Sequence, residues 1–330
     1  MGRNASTVTL ILQTIEEVAA QFNLRLNRGK CELIRIHSSE DVHFYSAEGD
    51  PPTAVTVVSK AKYLGMIISE DGNPKRNITE RIAKGTAAMK ALHRFWRHSS
   101  LSLKWKLKVY KMVIIPILTY GLLVESLTDL EFTRLDGAHA RFLRRVLHIP
   151  TTYYTEVLDP TVPTVTNSEV LTRARIAPLS RYITAYQLKL LGHILRTNSD
   201  DLTHDVTFTA GWGRRGFSGA GRRGRKRPRW IDTVPPTAWN RIHEDPDSAP
   251  LHLDPHNRPL TTDELPFNPH FHSNPFAFPN FSDQFDFVPL RVVSQHRHFW
   301  RESVVRAPTR ANSSLFGGSD PHEGECAPGT

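Results

Sequence analysis

The sequence predicts an α+β fold, with a helix and a few short strands first, then a long helical region, then a basic tail. Three observations carry this reading. The apolar period changes from steps of three and four to steps of two after Phe22, returns to helical steps from Ile78, and gives way at Gly211 to an Arg- and Gly-rich segment. The expected divisions are residues 1–75, 76–150, 151–210 and 211–330.

Val8, Ile11, Ile15, Val18 and Phe22 recur at helical spacing, and Asn4 or Ser6 can cap that helix by accepting backbone N–H bonds. Leu24 and Leu26 then alternate with polar residues, Gly29 supplies a turn, and Leu33, Ile34 and Ile36 read as a short strand. A second β region runs from Val55 through Val58 to Ile68, and Asp71-Gly72-Asn73-Pro74 ends it. Ile82, Met89, Phe95 and Trp96 belong to one predicted helix. Ser102 can cap the next, whose apolar face is expected to be Trp105, Val109, Met112 and Val113, with Pro116 interrupting the pattern. A third helix, Leu130 to Leu147, turns Leu135, Ala138, Phe142 and Val146 inward. A weaker one after Pro178 places Leu179, Ile183, Tyr186, Leu190 and Ile194 in register.

From Gly211 to Trp230 the chain holds eight Arg or Lys, six Gly and no acid. Such a segment cannot bury a core and is expected to be flexible when free, and residues 235–290, rich in Pro, His, Asn, Asp and Phe without period, read as disordered or loosely ordered. The net charge of +9 favours polyanionic partners. Cys31 and Cys326 are too few and too far apart for a disulfide framework or a four-thiolate zinc site. His252, His256, His270, His272, His296 and His298 fall without helix context and are not expected to bind metal. The longest apolar stretch, Met112 to Val124, is shorter than the roughly 20 residues a membrane-spanning helix needs. The expected location is nucleus or cytoplasm, not secreted, with no membrane partner.

Ala61-Lys62-Tyr63-Leu64-Gly65-Met66-Ile67-Ile68-Ser69 resembles the Y-L-G segment, or primer grip, of non-LTR retrotransposon reverse transcriptases. Upstream, Phe22 to Cys31 is similar to that family's motif D. Downstream, Leu103 to Tyr110 and Ile115-Pro116-Ile117-Leu118-Thr119-Tyr120-Gly121 resemble its thumb. Leu188 to Arg196 and the Gly-Arg segment ending in Arg229-Trp230-Ile231-Asp232 follow in the family's order, and His296 to Val304 echoes a C-terminal segment. The resemblance implies a partial polymerase palm edge (few strands plus a helix), an α-helical thumb and connection region, and a disordered basic tail.

The family carries its catalytic aspartate pair on a hairpin just before the helix that opens this chain. The expectation is therefore a truncated, catalytically inactive fragment with residual non-specific nucleic-acid binding. Two alternatives stay open: a retained non-catalytic RNA- or DNA-binding protein, or part of a longer active RNA-directed DNA polymerase. No catalytic residue and no cofactor is expected as given; Mg²⁺ enters only if an upstream palm is restored, because phosphoryl transfer needs carboxylates to hold the metals. Asp200-Asp201, the only Asp-Asp pair, lies in a polar turn. Lys30 matches the motif D lysine alone. The resemblance gives Tyr63, Leu64 and Gly65 the primer backbone, Gly65 allowing close approach while Tyr63 and Leu64 pack beneath it. Lys104, Lys106, Lys108 and Lys111 are candidate phosphate contacts of the thumb. Arg222, Arg223, Arg225, Lys226, Arg227 and Arg229 form the densest cationic cluster, suited to phosphates or to a nuclear-import receptor.

Overall fold

The computed structural model describes residues 4–36, 38–44, 53–151, 161, 163–198, 200–208, 229–244, 288–295 and 297–306. They are mostly helical, with a few short strands, a mixed α+β arrangement. The chain divides into two compact units, the first ending at Glu80 and the second beginning at Arg81.

In the first unit, helix α1 (Ala5–Gln21) is capped by Asn4, whose side chain accepts from the Thr7 N–H. The predicted helix is there, but its predicted face is not a core face. Ile11, Ile15 and Val18 stay 40–48% exposed, and Phe22 reaches 70%. Val8 of that face does pack, and joins Leu12, which was not predicted, on the small cluster of Val42, Phe44 and Val55. The strands are shorter than expected. Strand β1 (Glu32–Leu33) pairs in parallel with β4 (Thr56–Val57), and β2 (His43–Phe44) pairs antiparallel with β3 (Thr53–Ala54). Ile34 and Ile36 lie outside any strand.

The longest pairing is the hairpin of β5 (Lys60–Tyr63) and β6 (Met66–Ser69), with Lys60 opposite Ser69 and Tyr63 opposite Met66. Leu64 and Gly65 close it at φ +46° and +79°, and positive φ at both central residues is the pattern whose twist suits a two-residue hairpin. Two strands alone are marginal in water. Asn77, in the first turn of α2 (Lys75–Ala91), supplies a third edge. It accepts from the Ile67 N–H at 2.7 Å and donates to the Ile67 carbonyl at 2.9 Å, with only 1% of its surface exposed.

In the second unit, α2 ends at Ala91 and α3 (His93–Arg97) follows, so the single predicted helix is broken at Leu92. Gly85 of α2 lies close against Leu118 and Phe142. Helix α4 (Leu103–Val109) starts at Ser102, whose hydroxyl accepts from the Trp105 N–H. Pro116 does not stop it. A π-helical turn, Tyr110–Ile114, leads directly into α5 (Ile115–Thr119), and this wider turn accommodates a residue that can neither donate nor fit a regular α-turn. Helix α6 (Asp129–Leu147) opens with a Thr128–Glu131 capping box and buries Leu135, Ala138, Phe142 and Val146 as predicted. Arg144, 5% exposed, donates to the Pro150 and Val165 carbonyls and to Asn167, fastening the end of α6 to α7 (Asn167–Ala174).

Helix α8 (Leu179–Arg196) buries Leu179, Ile183 and Ile194, while Tyr186 is 45% exposed, outside the predicted register. Pro178 offers no side-chain cap, and Asp136 of α6 takes that role, accepting from the Ser180 N–H and hydroxyl. Helix α9 (Leu202–Thr207) follows. Part of the stretch expected to lack structure is helical: α10 (Trp230–Glu244) runs through Pro235 and Pro236. Its Ile231, Val234, Ala238 and Trp239 share a core with Leu188, Leu191 and Leu195 of α8, and this burial outweighs the lost backbone bonds. The same core takes Leu290 and Val293 of α11 (Val288–Gln295), then Trp300 and Val304 of a π-helical turn (Trp300–Val305) that follows α12 (Arg297–Phe299). Residues 245–287 lie outside the described residues.

Candidate nucleic-acid interface

Helix α4 decides how the predicted cations are displayed. Its inward face is the four-residue series Lys106, Tyr110, Ile114 and Leu118, all buried. Tyr110 packs edge-on to Trp96 at 6.5 Å, and its hydroxyl meets Nδ1 of His139 at 2.9 Å. His139 Nε2 lies 3.2 Å from the Ala177 carbonyl, which can only accept, so Nε2–H donates there and Nδ1 accepts from Tyr110. Burial holds this imidazole neutral, with its pKa lowered to about 4.

The consequence is a correction to the predicted phase of α4. Trp105, Met112 and Val113, expected inside, are 58%, 67% and 37% exposed. Lys106, expected among the phosphate contacts, is 6% exposed and belongs to the inward face. Lys104, Lys108 and Lys111 are exposed and separated by four and three residues, which places them on one side of the helix. Lys108 Nζ sits 4.9 Å from the Trp105 ring centroid. The surface thus interleaves cations with an aromatic and a methionine.

A cleft of about 590 Å³ in the same unit is lined by Lys90, His93, Arg97, Arg145 and His148, with buried Trp96 and Arg144 among its walls. Sequence reasoning missed it, because its residues come from α2, α3 and the end of α6. Only the high count of Lys and Arg near helix ends hinted at it.

In the first unit, Tyr63 and Leu64 do not pack beneath Gly65. They are 63% and 72% exposed at the hairpin tip, where, among the described residues, no further strand pairs beside β5 and β6. The positive φ of Gly65 is required by the turn itself. Lys30 is exposed in a short 3₁₀ turn, Arg28–Lys30. Of the Arg-rich cluster only Arg229 is described. It is tied to Asp232 at 3.1 Å, at the start of α10. Arg222, Arg223, Arg225, Lys226 and Arg227 lie outside the described residues. Asp201 serves as the cap of α9, accepting from the Thr203 N–H and hydroxyl, which lowers its pKa. Among the described residues, no three His, Cys, Asp or Glu side chains come together as metal ligands, and no helix is long and apolar enough to cross a membrane.

Comparison with known proteins adds one relationship. The chain is similar to a transposon-derived protein. That relative, an uncharacterized protein of Caenorhabditis elegans, is 20% identical over 234 residues, which cover 71% of this chain and 80% of the relative. No family model and no solved structure matches the chain.

Proposed function

We propose that this chain is a retrotransposon-derived, reverse-transcriptase-like segment that binds RNA or DNA through backbone phosphates. The observation that carries the reading is the outward face of α4, where Lys104, Lys108 and Lys111 stand beside an exposed Trp105. Exposed cations meet phosphates without reading sequence, and an exposed indole offers a surface on which any base can stack. The transposon-derived relative supports the origin. The Y-L-G hairpin tip and the cluster Arg222, Arg223, Arg225, Lys226 and Arg227 extend the same proposal, and the partial palm and thumb assignments belong to it.

The test is the salt dependence of binding to a single-stranded oligonucleotide. Replacing Lys104, Lys108 and Lys111 with Gln removes three candidate contacts. The log–log slope should become shallower by roughly 2 to 3 units, with no change in preference among sequences. An unchanged slope would remove α4 from the interface.

A further inference from the structure

Helix α8 buries Leu188, Leu191 and Leu195 and turns a second row outward, in which Lys189, His193 and Arg196 follow at steps of four and three. The C-terminal segment lays Arg297, Arg301 and Arg306 beside that row, and these six side chains line a cleft of about 620 Å³. Its volume lies within the usual range for ligand clefts, but its lining is unusually cationic.

Like charges gathered in a partly desolvated cleft oppose folding unless an anion shares the space. Arg196 shows the effect: burial, and then the charge of Arg297, disfavour its protonated form. Its guanidinium is held in place by donating to the Ser294 carbonyl at 3.0 Å. Among the described residues, two carboxylates bear on the cluster. Glu302 is engaged by Arg306 at 3.1 Å and Arg301 at 3.6 Å, and Asp201, committed to its own helix cap, feels the charge of His193. Lys189, Arg196 and Arg297 lie outside those pairings.

The floor of the cleft limits what can bind. Trp300 is 3% exposed, and its Nε1 donates to the Leu188 carbonyl at 3.1 Å. It offers neither an open ring face for a base nor a free donor. The recognition elements are charges alone.

We propose that this cleft binds the phosphate groups of a nucleic-acid strand, reading backbone charge rather than bases. The assignment rests on the nucleic-acid reading above and adds a site outside both α4 and the Arg-rich segment.

The experiment uses the full chain and an oligothymidylate, with fluorescence anisotropy over a series of salt concentrations. Lys189→Gln with Arg297→Gln removes two exposed cations and leaves the Arg196 anchor intact. The slope should become shallower by about 1.5 units, while melting by circular dichroism should hold or rise, because like charge has been relieved. Glu302→Gln frees Arg301 and Arg306 and should tighten binding several-fold. A methylphosphonate oligothymidylate, which lacks backbone charge, should lose the contribution of these cations. Wild-type affinity and slope in the double variant would overturn the cleft site, and if the α4 variant were still shallower the general reading would stand. Absence of binding by the wild-type chain would overturn both. Equal competition by polyglutamate would show a general anion site and overturn the nucleic-acid assignment.

Discussion

The Asn77 side chain bonds the backbone of Ile67 from both sides, accepting from its N–H and donating to its carbonyl, as a neighbouring strand would. Asn77→Ala leaves a part-buried donor and acceptor without those partners, and such losses cost about 1–3 kcal/mol. The β5–β6 hairpin should therefore exchange its amide hydrogens markedly faster, while α6 and α8 keep their protection. Uniform loss of protection across the chain would contradict this local role.

Two helical glycines should respond to alanine with opposite signs. Around Gly137 of α6 no heavy atom comes within 4 Å of an added Cβ, so Gly137→Ala should stabilise by roughly 0.5–1 kcal/mol through helix propensity. At Gly192 of α8 the same Cβ would collide with Trp300 Nε1 and lie 2.7 Å from its Cε2. The indole must then move and release the Leu188 carbonyl. Overpacking of this kind costs about 1–3 kcal/mol, which exceeds the propensity gain. Urea unfolding followed by circular dichroism separates the two variants.

His139 makes stability depend on acid pH. Its folded pKa, about 4, lies below the usual 6.5 of the unfolded chain, so the unfolded state binds the proton first. The stabilisation is complete above pH 6.5, falls as pH drops towards 4, and amounts to about 3 kcal/mol at most. Urea titrations at pH 7 and pH 4.5 should show a smaller loss of stability for His139→Gln than for the wild type. Equal losses would remove His139 from the acid response.

Leu64 occupies the left-handed region at φ +46°, which side chains other than Gly, Asn and Asp adopt at a cost. Leu64→Asn should slow amide exchange of the hairpin, by a stabilisation of roughly 0.5–1 kcal/mol. An unchanged or faster exchange would show that the leucine makes a compensating contact.

The sequence made α6 and α8 legible because each has one apolar stripe and one polar side. Even so, the Thr128–Glu131 capping box, a local signal, passed unread. Helix α4 was misphased because it carries two competing apolar series, Trp105–Val109–Met112 and Tyr110–Ile114–Leu118. What selects the second is Trp96 and His139, which lie on other helices. In α10, Pro235 and Pro236 masked the spacing of Ile231, Val234, Ala238 and Trp239. For the candidate interface, the spacing of Lys104, Lys108 and Lys111 was legible, as was the Lys189–His193–Arg196 row of α8, whereas the segments that complete each cleft come from elsewhere in the chain and no local spacing announces them.

Trp300 completes the packing of α8 from 112 residues downstream of its partner Leu188. At the usual synthesis rate of about 5–20 residues per second, α8 is synthesised roughly 5 to 20 seconds before the indole that covers Gly192. During that interval α10 can cover part of Leu188, Leu191 and Leu195, but the share of the groove closed by Leu290, Val293, Trp300 and Val304 stays open, and a nascent chain would present it to chaperones.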